Sequence, residues 1–136
     1  ISEKLKKSVQ KELKEGSAKV MIHESATIDV PGVFEIPTVI SQNIDKFDGF
    51  VAIGCVIKGK TLHFELISKA TINALMNLSI EHKKPIGNGI ITCLTKKQAL
   101  NRSNPKKKNK GGEAARAVLS VLGILNDETQ WSSTKP

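Results

Sequence analysis

The segment FVAIGCVI, residues 50–57, constrains the fold more than any other part of the chain. It is a continuous apolar run of strand length, with no polar residue at alternate positions. A strand with one solvated face alternates apolar and polar side chains, whereas a strand covered on both faces does not. The run therefore reads as a central strand of a parallel sheet. Residues 62–83 follow as a long helix, with Phe64, Ile67, Leu75 and Leu78 near helical spacing, and GIITCL (89–94) is a second buried strand. Strands separated by helices are the pattern of an α/β sandwich with a parallel sheet.

The flanking segments fit the same plan. Ile1, Leu5, Val9 and Leu13 recur at four-residue steps among Lys and Glu, an amphipathic helix that Gly16 stops. AKVMI (18–22) and ATIDV (26–30) are β-prone and end at the turn signal Pro31-Gly32. Residues 35–46 can form a helix, with Pro37 tolerated in its first turn. After the second strand, a short helix is expected over Lys97–Arg102, then a basic loop, SNPKKKNKGG. The last helix packs through Ala115, Val118, Leu119 and Leu122. A chain of 136 residues suits one domain, expected over 1–125, with 126–136 as a flexible C-terminal tail. A doubly wound sheet usually opens on a strand and this chain opens on a helix, so the expected sheet is without its first strand.

No apolar run reaches the length of a membrane-crossing helix, and ISEKLKKS lacks the apolar centre of a signal peptide. A cytoplasmic setting is expected. Cys55 and Cys93 both lie in apolar runs with no Cys or His at ligand spacing, so they read as buried free thiols rather than metal ligands. The net charge of +8 is concentrated in Lys4, Lys6, Lys7, Lys11 and Lys14 and again in Lys106, Lys107, Lys108 and Lys110. Such a balance suits an anionic partner, either nucleic acid or a small phosphorylated molecule. Four Phe, one Trp and no Tyr leave few stacking platforms for single-stranded nucleic acid.

GCVIKGKTLHFE (54–65) sharpens the choice. Gly54-xxxx-Gly59-Lys60-Thr61 satisfies the Walker A formula, but a phosphate-wrapping loop cannot form from Cys55, Val56 and Ile57 while they belong to a strand. The location still suits an anion. Open α/β sheets bind ligands at the carboxyl ends of their strands, and the N–H groups and dipole of a starting helix attract phosphate. His63 falls in the first turn of that helix, where the dipole disfavours a positive charge, so it is expected in its neutral, proton-accepting form.

VPGVFEIP (30–37), GCVIKGKTLHF (54–64) and NKGGEAA (109–115) together resemble the lumazine synthase family, in order and with compatible spacing from about Ile1 to Leu125. The resemblance implies a flavodoxin-like three-layer α/β/α sandwich whose subunits form pentamers, some assembling further into icosahedral shells. It implies condensation of a ribitylamino-pyrimidinedione with a four-carbon dihydroxybutanone phosphate, releasing phosphate and water, with neither metal nor organic cofactor. Neither nucleic acid nor a membrane is implied as a partner.

By the same resemblance Val33, Phe34 and Glu35 line the pyrimidine and ribityl pocket, and Val56 and Ile57 hold the heterocycle through backbone groups. Lys60 and Thr61 match the phosphate-binding turn, and His63 the proton-transfer residue. Arg102 and Lys110 match phosphate-binding positions; a guanidinium grips phosphate with two parallel hydrogen bonds, which Lys cannot do. Lys106, Lys107 and Lys108 read as a solvated run. Asn88 stands where an aromatic residue often closes the pocket from a neighbouring subunit, and Asn101 replaces a frequent acid beside Arg102. The family's opening strand, with its Arg-Phe-Asn loop, would lie before Ile1. The alternatives are a homologue without turnover and a basic module that binds polyanions.

Overall fold

β1 (Phe50–Ile57) forms over the apolar run and pairs in parallel with β2 (Ile86–Cys93), from Phe50 opposite Ile86 to Ile57 opposite Cys93. The computed structural model describes residues 1–16, 20–22 and 24–126. Phe50 N–H donates to Pro85 O at 3.0 Å and Lys58 N–H to Cys93 O at 2.8 Å. These bonds fix the strand's polarity: odd-numbered residues of β2 turn their backbone groups toward β1, and even-numbered ones toward the open edge.

Helices cover both faces of this pair. α2 (Ile36–Gln42) and α3 (His63–His82) bring Ile36, Ile40 and Leu75 against Ala52 and Ile90, with Ile44 from the turn after α2. On the other face α1 (Ser2–Glu15) and α4 (Lys96–Ser103) bring Leu5 and Ala99 against Ile91 and Cys93, joined by Ile53 and Cys55. α5 (Lys110–Asn126) lies on that second face, where a Cβ at Gly87 would collide with the Ala114 carbonyl. Glycine is required there because a helix backbone and a strand backbone touch. Arg116 Nη1 reaches Glu12 Oε1 at 2.6 Å and ties α5 to α1. The chain is thus an α/β protein of the flavodoxin-like, three-layer kind, with five α-helices and a two-stranded parallel sheet among the described residues.

Local chemistry sets most boundaries. Gly16 ends α1 in the left-handed region, φ 63°, and donates to Glu12 O at 2.8 Å. Thr95 caps α4 by accepting from Gln98 N–H at 3.2 Å. The expected helix over 35–46 is shorter. A single 3₁₀ turn, Val33–Glu35, leads into α2, which stops at Gln42, and Asn43 Nδ2 donates back to the Val39 carbonyl at 2.8 Å.

Three expectations need correction. ATIDV forms no strand: residues 24–30 run without regular structure and are largely exposed, and of AKVMI only Val20 makes an isolated bridge while residues 18 and 19 lie outside the described residues. β-propensity acts only where a strand edge is available to pair. The second strand begins earlier than expected, at Ile86, and ends at Cys93. The apolar run of β1 does have covered faces, but it has one strand neighbour among the described residues rather than two. Of the expected tail, 126–136, Asn126 belongs to α5 and residues 127–136 lie outside the described residues. No helix among the described residues is long and apolar enough to cross a membrane.

Candidate functional site

The sequence-derived site residues fall into two groups. The first gathers where β1 ends and α3 begins. Cys55, Val56 and Ile57 are strand residues, so the Walker-type loop does not form. His63 is the first residue of α3, and its N–H donates to Thr61 Oγ1 at 3.3 Å. Lys58, Gly59, Lys60, Thr61 and His63 are all exposed. The 3₁₀ turn sits against this end of the sheet, with Val33 packed over Gly54 and sharing a cluster with Val56. Val33 is thereby anchored, while the neighbouring Phe34 ring points outward and is 57% exposed. Glu35 is half-buried beside it.

The second group lines a cavity of about 450 Å³ at the open edge of β2, walled by Asn88, Ile90, Ile91, Thr92, Arg102, Lys108 and Lys110. Thr92 O belongs to the even-numbered set that faces away from β1, and Arg102 Nη1 caps it at 2.8 Å. The same nitrogen lies 3.5 Å from Cys93 Sγ. Asn88 caps another edge group, its Oδ1 accepting from Ile90 N–H at 3.1 Å. A sheet edge with unmet backbone groups is costly to bury, so these two side chains stabilise the edge as well as shape the cavity. Lys110 opens α5, with Nζ 3.4 Å from Glu113 Oε2 in the same first turn.

The arrangement therefore places Asn88, expected at the pyrimidine pocket, in one cavity with Arg102 and Lys110, expected at the phosphate. His63, Lys60, Thr61 and Phe34 do not line that cavity. The expectation of one loop from 103 to 112 also changes, since Lys110, Gly111 and Gly112 belong to α5. Lys108, read as solvated, is exposed and also stands on the cavity wall. A second hollow of about 250 Å³ lies between α3 and the end of β2, lined by Phe64, Ser68, Ile72 and Thr92 among others. Ser68 Oγ and Thr71 Oγ1 are buried in α3 without hydrogen-bond partners. No sequence pattern marked them. No group of three or more His, Cys, Asp or Glu able to hold a metal occurs among the described residues.

Comparison with known proteins matches residues 1–126 to the family model described as 6,7-dimethyl-8-ribityllumazine synthase. The chain is 44% identical over 126 residues to 6,7-dimethyl-8-ribityllumazine synthase 1 of Rhodopseudomonas palustris, across 85% of this chain and 77% of the relative. It is 45% identical to the synthase of Nitrobacter hamburgensis over 71% of this chain and 64% of the relative. With the synthase of Novosphingobium aromaticivorans the identity is 44%, over 81% of this chain and 78% of that protein. The chain thus spans between about two thirds and four fifths of these relatives' lengths.

Proposed function

Since the chain belongs to the 6,7-dimethyl-8-ribityllumazine synthase family, we propose that it carries that activity in riboflavin biosynthesis, as a transferase working in a homo-oligomer. It would condense 5-amino-6-ribitylamino-2,4-pyrimidinedione with 3,4-dihydroxy-2-butanone 4-phosphate. The observation that carries the reading is the basic cavity of Asn88, Arg102 and Lys110 at the edge of β2, chemically suited to a phosphate.

The chemistry assigns each group a task. The amine of one substrate condenses with the ketone of the other to an imine, phosphate leaves by elimination, and a second condensation closes the ring. Each step moves a proton, and a positioned neutral histidine contributes roughly 10²–10⁴-fold. His63 holds that role. Arg102 and Lys110 bind and stabilise the departing phosphate, with Lys60 and Thr61 approaching it from the start of α3. Phe34 stacks on the pyrimidine, Glu35 meets the ribityl hydroxyls, and the backbone of Val56 and Ile57 holds the ring edge. Holding both reactants together lowers the remaining barrier.

Because His63, Lys60 and Thr61 do not line the cavity of Asn88, Arg102 and Lys110, we place the working site between copies: the His63 group from one, the Asn88, Arg102 and Lys110 group from its neighbour. Leu62, Leu66, Met76 and Ile80 support association. Leu66, Met76 and Ile80 share one face of α3 with Leu62 at its N-cap, and all four are between 59% and 70% exposed, apolar positions at both ends of a face that suits a subunit contact. A pentamer in the cytoplasm is the assembly and setting we assign, with residues 1–125 as one domain. The test is product formation, followed by the absorbance and fluorescence of the lumazine with both substrates above the uncatalysed background. Turnover that falls in His63→Ala and Arg102→Ala supports the reading, and a rate equal to background refutes it.

A further inference from the structure

The cavity at the edge of β2 holds one cation that the family pattern does not assign, and its charge count gives that cation a purpose. Arg102, Lys108 and Lys110 line the wall. The Lys110 ammonium lies 3.4 and 3.5 Å from the two Glu113 carboxylate oxygens in a solvent-exposed pair, so it is shared between that carboxylate and the cavity. A phosphate monoester carries close to two negative charges near neutral pH, more than Arg102 offsets by itself. Lys108 adds a further positive charge.

The connection between α4 and α5 explains why Lys108, and not its neighbours, faces the cavity. Asn104 organises the turn: its Oδ1 accepts from Lys106 N–H at 2.9 Å, and its carbonyl accepts from Lys107 and Asn109 N–H, each at 3.0 Å. Lys108 N–H is held by the Asn101 carbonyl at 3.3 Å. Asn109 then turns the chain with φ 47°, a conformation Asn tolerates, and its Oδ1 accepts from Gly112 N–H at 3.2 Å. The backbone at Lys108 is thus fixed from both sides before any ligand arrives. Lys106, Lys107 and Lys108 are all exposed, but of the three only Lys108 lines the cavity.

We infer that Lys108 is a phosphate-positioning residue, the third cation on the wall of this cavity, which adds to the charge match to the phosphate of the carbonyl substrate. The inference rests on the proposed synthase reading for its substrate, but the phosphate interaction itself is separable. A lysine suits this position, since its ammonium acts as a compact charge on a flexible stem while the Arg102 fork sets geometry. The partner is the shared phosphate chemistry, present in inorganic phosphate and in the phosphorylated ketone alike.

The test titrates inorganic phosphate into the unmodified protein and into Lys108→Ala, Lys108→Arg and Lys107→Ala at low ionic strength, with ³¹P line broadening as readout. Turnover is measured beside it. Lys108→Ala is expected to weaken phosphate binding about five- to tenfold, somewhat more than a surface ion pair because the ligand is doubly charged. It should raise KM for the ketone phosphate by a similar factor and leave kcat and the KM for the pyrimidine within about twofold. Lys108→Arg should restore most of the affinity, and Lys107→Ala should match the parent. Equal, small losses in Lys108→Ala and Lys107→Ala would overturn the assignment, even with an active enzyme. A parent that makes no lumazine, yet binds phosphate in a Lys108-dependent way, would keep the assignment and remove the synthase reading instead.

Discussion

The two halves of the candidate site are built on opposite physical principles. At the edge of β2, side chains are held before any ligand arrives: Arg102 on the Thr92 carbonyl, Asn88 on the Ile90 amide, and the connecting turn on Asn104. At the end of β1, Lys60, Thr61 and His63 are exposed, and the Phe34 ring projects outward from its anchored neighbour Val33. One half is a preorganised basic cavity; the other is an open surface that must be covered before it can exclude water from a reaction. Preorganised groups lose less on binding, so the cavity half should act on affinity and the open half on the chemical step.

That division gives its sharpest break at His63. His63→Ala should lower kcat by roughly 10²–10⁴-fold while phosphate affinity stays within about twofold. A matching loss of phosphate affinity would mean that the two halves are not separable. Arg102→Ala comes next. It removes a charged donor from the cavity and uncaps Thr92 O, and hydrogen bonds to charged groups are worth about 1.5–3 kcal/mol, or roughly 10- to 100-fold in kcat/KM. Arg102→Lys should recover only part of this, because the ammonium cannot cap Thr92 and grip the ligand together. Steady-state kinetics on the pair decides it.

Two smaller changes probe the scaffold under the comparison. Gly87→Ala pushes a methyl into the Ala114 carbonyl and should cost about 1–3 kcal/mol by denaturant unfolding. The cavity half should suffer more than the His63 half, because Gly87 sits beside Asn88 on β2. Cys55 should have the least effect. Burial, and secondarily the nearby Cys93, pushes its thiol above the usual range. A folded-state value raised above the unfolded one gives stability that is present below the unfolded value and lost as pH rises through the folded one. Cys55→Ala should therefore soften the alkaline decline in stability above about pH 9 without touching turnover. A pH series of unfolding midpoints on both proteins would show it.

Most of the scaffold was legible because its signals are local. The apolar run of β1, the four-residue spacing of α1 and the glycine after it each state their own structure. The position of His63 at the head of α3 followed from the strand-to-helix boundary. What was not legible depended on partners distant in sequence. ATIDV has strand propensity, but residues 24–30 find no edge to pair with among the described residues. The run Lys106–Lys108 carries no periodicity that distinguishes its members; Lys108 faces the cavity because Asn101 and Asn104, earlier in the chain, dictate the turn. The docking of Arg102 on the open edge of β2 likewise comes from strand polarity, which no motif encodes.

The most direct test of a site shared between copies is complementation. His63→Ala and Arg102→Ala proteins, each nearly inactive alone, are unfolded, mixed in equal amounts and reassembled. If one site draws His63 from one copy and Arg102 from its neighbour, about a quarter of the interfaces will carry both intact groups, and activity should return to about a quarter of the parent level. Mixed assemblies that stay as inactive as either variant alone would place both groups within one chain and contradict the shared site.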